Sequence, residues 1–370
     1  VTNTTTTIKT IFKNITLALI ALILGFLAWV YFSTFHPSEQ QDEAVVSKGH
    51  SQTSPVLKPG QNIKVLSWNV QFMAGNSDNH FFYDDGDDQW PSLTRVQEIT
   101  SKVANVILEQ NPDIVLLQEI DDNAARTHHT DQQAMLNQWL AEHYPYQTDS
   151  FYWRASFVPH PKVMGRAGMK LVAFSKYPID RAIRHKLPEI TSDDIITRQF
   201  NLKRAVQELI LPIANGNNLH VLHTHLSAFA QGSDTMVRQV AKLLTLTERL
   251  DQQNSAWLLA GDLNLLASKS AFNHLAPQHQ AYYNSLGSEL TPMLAKYPSI
   301  PSRQQITGAD QANWRTYMPA DDPQRTPDRT IDYIFYSPKL KLGEHFVIHG
   351  SARAISDHLP VVANFTVPSQ

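Results

Sequence analysis

Short, nearly all-apolar runs recur along the chain, and most of them end on a polar side chain. They lie at Ile63–Trp68, Ile114–Leu117, Leu171–Phe174, Val206–Leu211, Leu219–His223, Trp257–Ala260, Ile331–Tyr336 and Val361–Phe365. Runs this short and this apolar are expected to be strands buried between layers, their tips delivering the terminal polar residue to a shared edge. A helical period separates some of them. After Ser92, an N-cap residue type, Val96, Ile99, Val103, Val106 and Ile107 fall on one face before Asn111-Pro112 stops the helix. Further helices are predicted over Gln132–Glu142 and Asp234–Leu250, the latter capped by Asp234 and striped with Val237, Val240, Leu243, Leu244 and Leu250. Strand and helix periods mixed in this way predict an α/β domain with helices outside sheet layers.

The N-terminal part departs from this pattern. Residues 1–14 read as a short tail, with a threonine run at Thr4 to Thr7. Ile15 to Phe35 carries no charge and is long enough to cross a hydrocarbon core as one helix. Lys9 and Lys13 precede it and Glu39, Asp42 and Glu43 follow, which places the N-terminus in the cytoplasm and the rest on the periplasmic or extracellular side. No small-x-small cleavage pattern directly follows the run, and Trp29, Tyr31 and Phe32 suit an interfacial belt. A single-pass anchor that puts residues 15–35 in the lipid bilayer is therefore preferred to a cleaved signal or a buried core helix. Residues 36–61 are polar, with Ser, Gln, Lys, Pro and Gly, and read as a flexible tether. The folded domain is expected at 62–370.

Composition narrows the chemistry. The 370 residues have no cysteine, which excludes disulfides, thiolate metal sites and a thiol nucleophile. Lys plus Arg total 31 and Asp plus Glu 34, for a net charge of −3, so no general electrostatic capture of nucleic acid is expected. No Gly-x-Gly-x-x-Gly or Walker loop marks a nucleotide site, no internal repeat is visible, and no obligate protein partner is evident. The histidines do not form a helical His-x-x-x-His zinc pair.

What remains is the inventory of tips: Asn69 after Val65-Leu66-Ser67-Trp68, Glu119 after Ile114-Val115-Leu116-Leu117-Gln118, and His225 after Val221-Leu222-His223-Thr224. Asp262 and Asn264 lie in Gly261-Asp262-Leu263-Asn264, Asp332 in Thr330-Ile331-Asp332, and Asp357-His358 in Ser356-Asp357-His358-Leu359-Pro360. Oxygen donors with imidazoles suit a hard divalent cation and the cleavage of a phosphate ester. Glu119 is the leading Mg²⁺ ligand, a hard donor at a rigid strand end, with Asn69 and Asp357 completing the ion's surroundings; Mn²⁺ would substitute. His358 suits acid or base work if a carboxylate fixes its tautomer, and Asp332 is the candidate partner. Asp262 and Asn264, two apart, share a face, although an Asx turn explains the same pair.

In order and spacing these motifs resemble the endonuclease/exonuclease/phosphatase superfamily of metal-dependent phosphoesterases, over roughly Asn62 to Val367. The resemblance implies a four-layer sandwich, two mixed β-sheets flanked by helices. It implies that Asp332 and His358 form a pair, that Asp262 orients or deprotonates the attacking water, that Asn264 donates to a phosphate oxygen, and that His225 contacts the phosphate or steadies the pentacovalent state. Many relatives read Asn-Thr-His where this chain has His223-Thr224-His225, so His223 is either a core histidine satisfied by a backbone carbonyl or a support for His225. Three segments are expected to rim the cleft. Phe81–Trp90 is acidic, a solvated loop or a second cation site. Phe151–Arg154 with Lys162, Arg166 and Lys170 is an aromatic and basic platform or core packing, and Ala228–Asp234 follows His225. The expected activity is hydrolysis of a phosphodiester by a membrane-tethered enzyme, its substrate lipid-linked or nucleic acid. An extracytoplasmic nuclease and a non-catalytic tethered binding module are the alternatives.

Overall fold

The computed structural model describes residues 2–47, 55–76, 90–161, 163–214, 216–228, 230–285 and 288–369. The stretch 81–89, Lys162 and Phe229, expected at the cleft rim, lie outside the described residues. Two seven-stranded sheets carry the domain. In chain order the strands are β1 (Gln40–Glu43), β2 (Val45–Ser47), β3 (Asn62–Asn69), β4 (Ile114–Asp121), β5 (Tyr146–Val158), β6 (Gly165–Ser175) and β7 (Arg181–Lys186). They continue with β8 (Ala205–Pro212), β9 (Asn218–His225), β10 (Ala256–Asp262), β11 (Ser299–Ile300), β12 (Asp332–Tyr336), β13 (Lys341–Val347) and β14 (Val361–Thr366). One sheet runs β13-β14-β3-β4-β6-β5-β2, the other β11-β12-β10-β9-β8-β7-β1. Every apolar run read from the sequence is a strand here.

Both sheets have the same succession of pairings. In each a single parallel pair, β3/β4 or β10/β9, is flanked by antiparallel neighbours. Parallel pairs need a crossover, which α2 (Leu93–Gln110) and α5 (Thr235–Gln252) supply. Ser92 caps α2 by accepting from Arg95 N–H at 3.2 Å, and Asn111 closes it in the left-handed region. α3 (Gln132–Leu140) ends two residues short of the expected Glu142. Asp234 does not cap α5; its carboxylate instead pairs with Arg238.

Alternation along the strands separates two cores. Val221, Leu258 and Ile334 point between the sheets with Val65 and Ala363, whereas Leu222, Leu259 and Phe335 pack outward against Leu243, Leu246 and Leu250 of α5. On that outer side Glu208 of β8 is buried among His185, His220 and Arg249, at 2.6, 2.8 and 2.6 Å.

The N-terminal helix α1 spans Thr2–Ser33, longer than the apolar run at 15–35, and its apolar window, within Ile8–Ser33, is not buried in the protein. The tether expected over 36–61 is structured in part, which corrects that reading. β1 pairs with β7 and β2 with β5, closing one edge of each sheet, and Leu57 is fully buried with its carbonyl accepting from Ala214 N–H at 2.8 Å.

Candidate active site

The tips of the central strands converge. Asp262 ends β10, and its neighbours in register are His225 on β9 and Asp332 on β12. Gly261 permits this approach: its φ is +146° and a Cβ there would lie 1.8 Å from the Thr224 carbonyl oxygen. From the other sheet, Asn69 ends β3 and donates its amide to Glu119 and to Asp262, each at 3.1 Å. Its amide oxygen accepts from Gln71 N–H. Glu119 reaches the cleft because the β4/β6 register shifts between Leu117 and Ile120, where Glu119 adopts a φ of +61°.

His358 donates from Nδ1 to Asp332 Oδ2 at 2.9 Å, and its Nε2 lies 3.6 Å from Asp262 Oδ2. All three are buried. Burial works against charge on the imidazole, but the Asp332 and Asp262 carboxylates outweigh it and hold His358 well above the ordinary histidine range. Burial likewise pushes the Asp262 carboxyl up, against the pull of His358. His225 is set the opposite way: burial, then Arg204, His358 and His223, hold it well below the ordinary range and keep it neutral. Its Nε2 is 3.2 Å from Asp262 Oδ2 and 3.9 Å from Glu119 Oε1.

Asn264 and Asp357 are tied in more locally. Asn264 N–H donates to Asp262 Oδ1 at 2.9 Å and its amide to the Leu226 carbonyl at 3.3 Å, so the Asx turn is present within the cluster. Asp357 accepts from Ser356 Oγ at 3.3 Å, and its charge adds to the field that favours protonated His358. His223 is a core histidine, fully buried and pushed down to about 3 by burial. Its partners are the side-chain amides of Gln118 and Gln207, at 2.7 and 3.2 Å, rather than a backbone carbonyl.

A model of the endonuclease/exonuclease/phosphatase family matches residues 66–358, most of the chain. The chain belongs to the endonuclease/exonuclease/phosphatase family. Among solved structures of this fold, the family protein from Beutenbergia cavernae is 20% identical over 83% of this chain and 72% of its own, with a TM-score of 0.52. Truncated Caenorhabditis elegans TDP2 is 17% identical over 84% and 99%, at 0.51. The catalytic domain of human Nocturnin is 17% identical over 87% and 96%, at 0.50. No curated protein matches the chain significantly.

As a phosphoesterase of this family, the chain must offer a metal a fitting set of donors. Asp262, Asp332 and His358 present atoms within 4.8 Å of one another. The Glu119 carboxylate is 21% exposed toward the cleft and has no lysine or arginine partner among the described residues. Carboxylate oxygens without thiols suit a hard cation, so the residues fit the group.

Three residues here were not singled out from the sequence. Tyr152, read with its segment as platform or core packing, is fully buried; its hydroxyl accepts from Glu119 N–H at 3.2 Å and lies 3.3 Å from His225 Nδ1. Arg204 packs its guanidinium 5.0 Å from the Tyr152 ring, with Nη1 buried and without a hydrogen-bond partner among the described residues. Tyr317 sits edge-on to His358 at 5.0 Å. A cation placed at the threshold of an apolar strand, Arg204 before β8, was the available signal. Lys170, expected on the platform, is instead buried between Asp122 and Asp149 at 3.1 and 3.4 Å.

Proposed function

We propose that the chain is a membrane-anchored phosphodiesterase that uses Mg²⁺, or Mn²⁺ in its place, on the non-cytoplasmic side. The observation that carries this reading is the Asp332–His358 pair turned toward Asp262 in the cleft that also receives Glu119. Glu119, Asn69 and Asp357 would hold the ion, which when bound neutralises phosphate oxygens and acidifies water. The chain's own groups do the rest. Asp332 fixes the His358 tautomer and favours its protonated form, leaving Nε2 to give a proton to the ester or to hold a phosphate oxygen. Asp262, raised by burial, orients the water and takes its proton. His225 stays neutral and adds a hydrogen bond without a second positive charge, while Asn264 donates to a phosphate oxygen.

The apolar helix α1 supports a substrate at a bilayer, a lipid or lipid-linked phosphodiester. A nuclease is the second reading, supported by Arg154, exposed and 5.2 Å over the Phe151 ring. The test is turnover by the full chain in detergent micelles with Mg²⁺, against sphingomyelin, phosphatidylinositol species, DNA and RNA. Hydrolysis of a lipid diester is expected. Hydrolysis of nucleic acid alone would favour the nuclease, and no turnover of any diester would leave a binding module.

A further inference from the structure

The six-residue helix α4 (Ile195–Phe200) turns two large apolar side chains to solvent: Ile195 is 78% and Ile196 71% exposed. Outside α1 no other described isoleucine is exposed, so two side by side here mark a contact surface. Its surroundings say with what. α4 is fastened to the point where α1 leaves: Gln199 donates to Thr34 Oγ1, lies 3.1 Å from His36 Nε2, and Phe200 O accepts from Trp153 Nε1 at 2.8 Å. Thr34 itself bridges to Ala155 of β5. The last turn of α1 is as exposed as α4, with Phe32 at 82%.

The charges beside α4 balance in number but not in pairing. Lys186, Arg198, Lys203, Arg238 and Lys242 line two adjoining depressions with Glu39 and Glu189. Glu189 pairs with Lys186 and Lys203, and Asp234 with Arg238. Asp194 is consumed in capping α4 and Asp193 accepts from Asn201. Arg198 and Lys242 have no acidic partner among the described residues. An apolar pair with two unpaired cations on its rim, next to a helix able to cross a bilayer, has the chemistry of an interfacial contact with anionic lipid.

We infer that α4 rests in the interface of the bilayer that α1 enters, Ile195 and Ile196 among the acyl boundary and Arg198 and Lys242 on anionic headgroups. The inference rests on the anchor reading of α1. It also gives the cleft an orientation. Four residues after α4 the chain reaches Arg204 beside Tyr152, so the cleft wall is continuous with the lipid-facing edge and opens to phosphodiesters at the membrane surface.

The chain has no native cysteine, so single-cysteine probes are clean. Full chain carrying Ile196→Cys, or Lys341→Cys on the far edge strand β13, is labelled with a polarity-sensitive fluorophore. It is then reconstituted into phosphatidylcholine vesicles with or without phosphatidylglycerol. Nitroxide lipids in both leaflets make orientation immaterial, and flotation reports α1 separately. The expected result is that both variants float, that the probe at 196 is quenched several-fold more than at 341, and that phosphatidylglycerol increases the difference. Equal quenching at the two positions in floating protein overturns the inference and leaves the anchor standing. A probe at 196 that is shielded from water but not quenched by lipid points to a protein partner and overturns it as well. Failure to float removes the anchor and the inference together. Ile195→Glu/Ile196→Glu adds a functional arm: turnover of a vesicle-borne diester should fall several-fold with a soluble diester unaffected, and equal effects on both would count against the contact.

Discussion

Asn69 and Asp262, 193 positions apart, meet through a 3.1 Å hydrogen bond at the ends of strands that occupy matching places in the two sheets. β3 and β10 each belong to the single parallel pair of their sheet, and their partners β4 and β9 deliver Glu119 and His225 to the same cleft. Strand tips give rigid placement. The cleft therefore inherits its precision from sheet register rather than from loops.

That register has a weak point at Gly261. A side chain there would run into Thr224 at the step that seats Asp262 beside His225. Gly261→Ala should push β10 from β9 and misplace Asp262. About 10²-fold lower kcat is expected, the scale of a displacement of about 1 Å, with a lower Tm. Steady-state kinetics and a thermal melt check it; wild-type values for both would mean that the tips tolerate the shift.

The Asp332–His358 pair should behave as one unit. His358→Ala is expected to lose on the order of 10³-fold in kcat, and Asp332→Asn a large part of that factor through the wrong hydrogen-bond partner. The double variant should be scarcely worse than His358→Ala. Multiplicative losses at matched folded concentration, or a His358→Ala enzyme within about tenfold of wild type, would remove the pair from the mechanism.

Glu208 predicts how stability follows pH. Against the cost of burial, His185, His220 and Arg249 hold its carboxyl far below the ordinary 4.5. A carboxylate depressed in the folded state contributes its full stabilisation above the unfolded value and loses it as pH falls through the folded one. Glu208→Gln should cost about 3 kcal/mol at neutral pH, and the gap to wild type should narrow below about pH 4. Thermal unfolding of both proteins across pH 3 to 8 measures it, and a gap constant with pH would refute the charged cluster.

The edge strands make a second stability prediction. A chain starting at Ser38 retains β1, β2 and Leu57 and should be soluble and fold as the full chain does. A chain starting at Asn62 uncovers the edges of β7 and β5 and empties the Leu57 site, and should melt lower and self-associate. Size-exclusion chromatography and melting of the two proteins decide it; indistinguishable behaviour would restore the tether reading of 36–61.

How much of this was legible in the chain differs by element. The central strands were readable because both their faces are buried, so Ile114–Leu117 or Trp257–Ala260 is apolar without interruption, and each tip residue then stands out. β1 was not, because Gln40-Gln41-Asp42-Glu43 is an edge strand with Gln40 and Asp42 in water and Gln41 and Glu43 only half-buried, and polar sequence pairs there as well as it loops. The likeness of the two sheets left no repeat in the sequence, since it lies in backbone pairing that different side chains satisfy. Tyr152 was left open between platform and core packing and Lys170 was read on the platform, yet β5 and β6 bury both, one in the cleft and one between aspartates. α4 carries no apolar stripe toward the core, so nothing in its periodicity announced it. Asp234 had the cap residue type, but Arg238 takes its carboxylate.

The proposed function has this cleft cleave phosphodiesters with a divalent cation gathered at Glu119. Its most direct measurement is turnover of a soluble chromogenic phosphodiester by the full chain in detergent, titrated with Mg²⁺ and then with chelator, for wild type and Glu119→Gln. Wild-type turnover is expected to rise with Mg²⁺, to vanish in excess chelator and to return on readdition, while Glu119→Gln, which keeps shape and loses charge, should need markedly more Mg²⁺ to reach half its maximum. Undiminished wild-type turnover in excess chelator, or identical Mg²⁺ requirements for the two proteins, would contradict it.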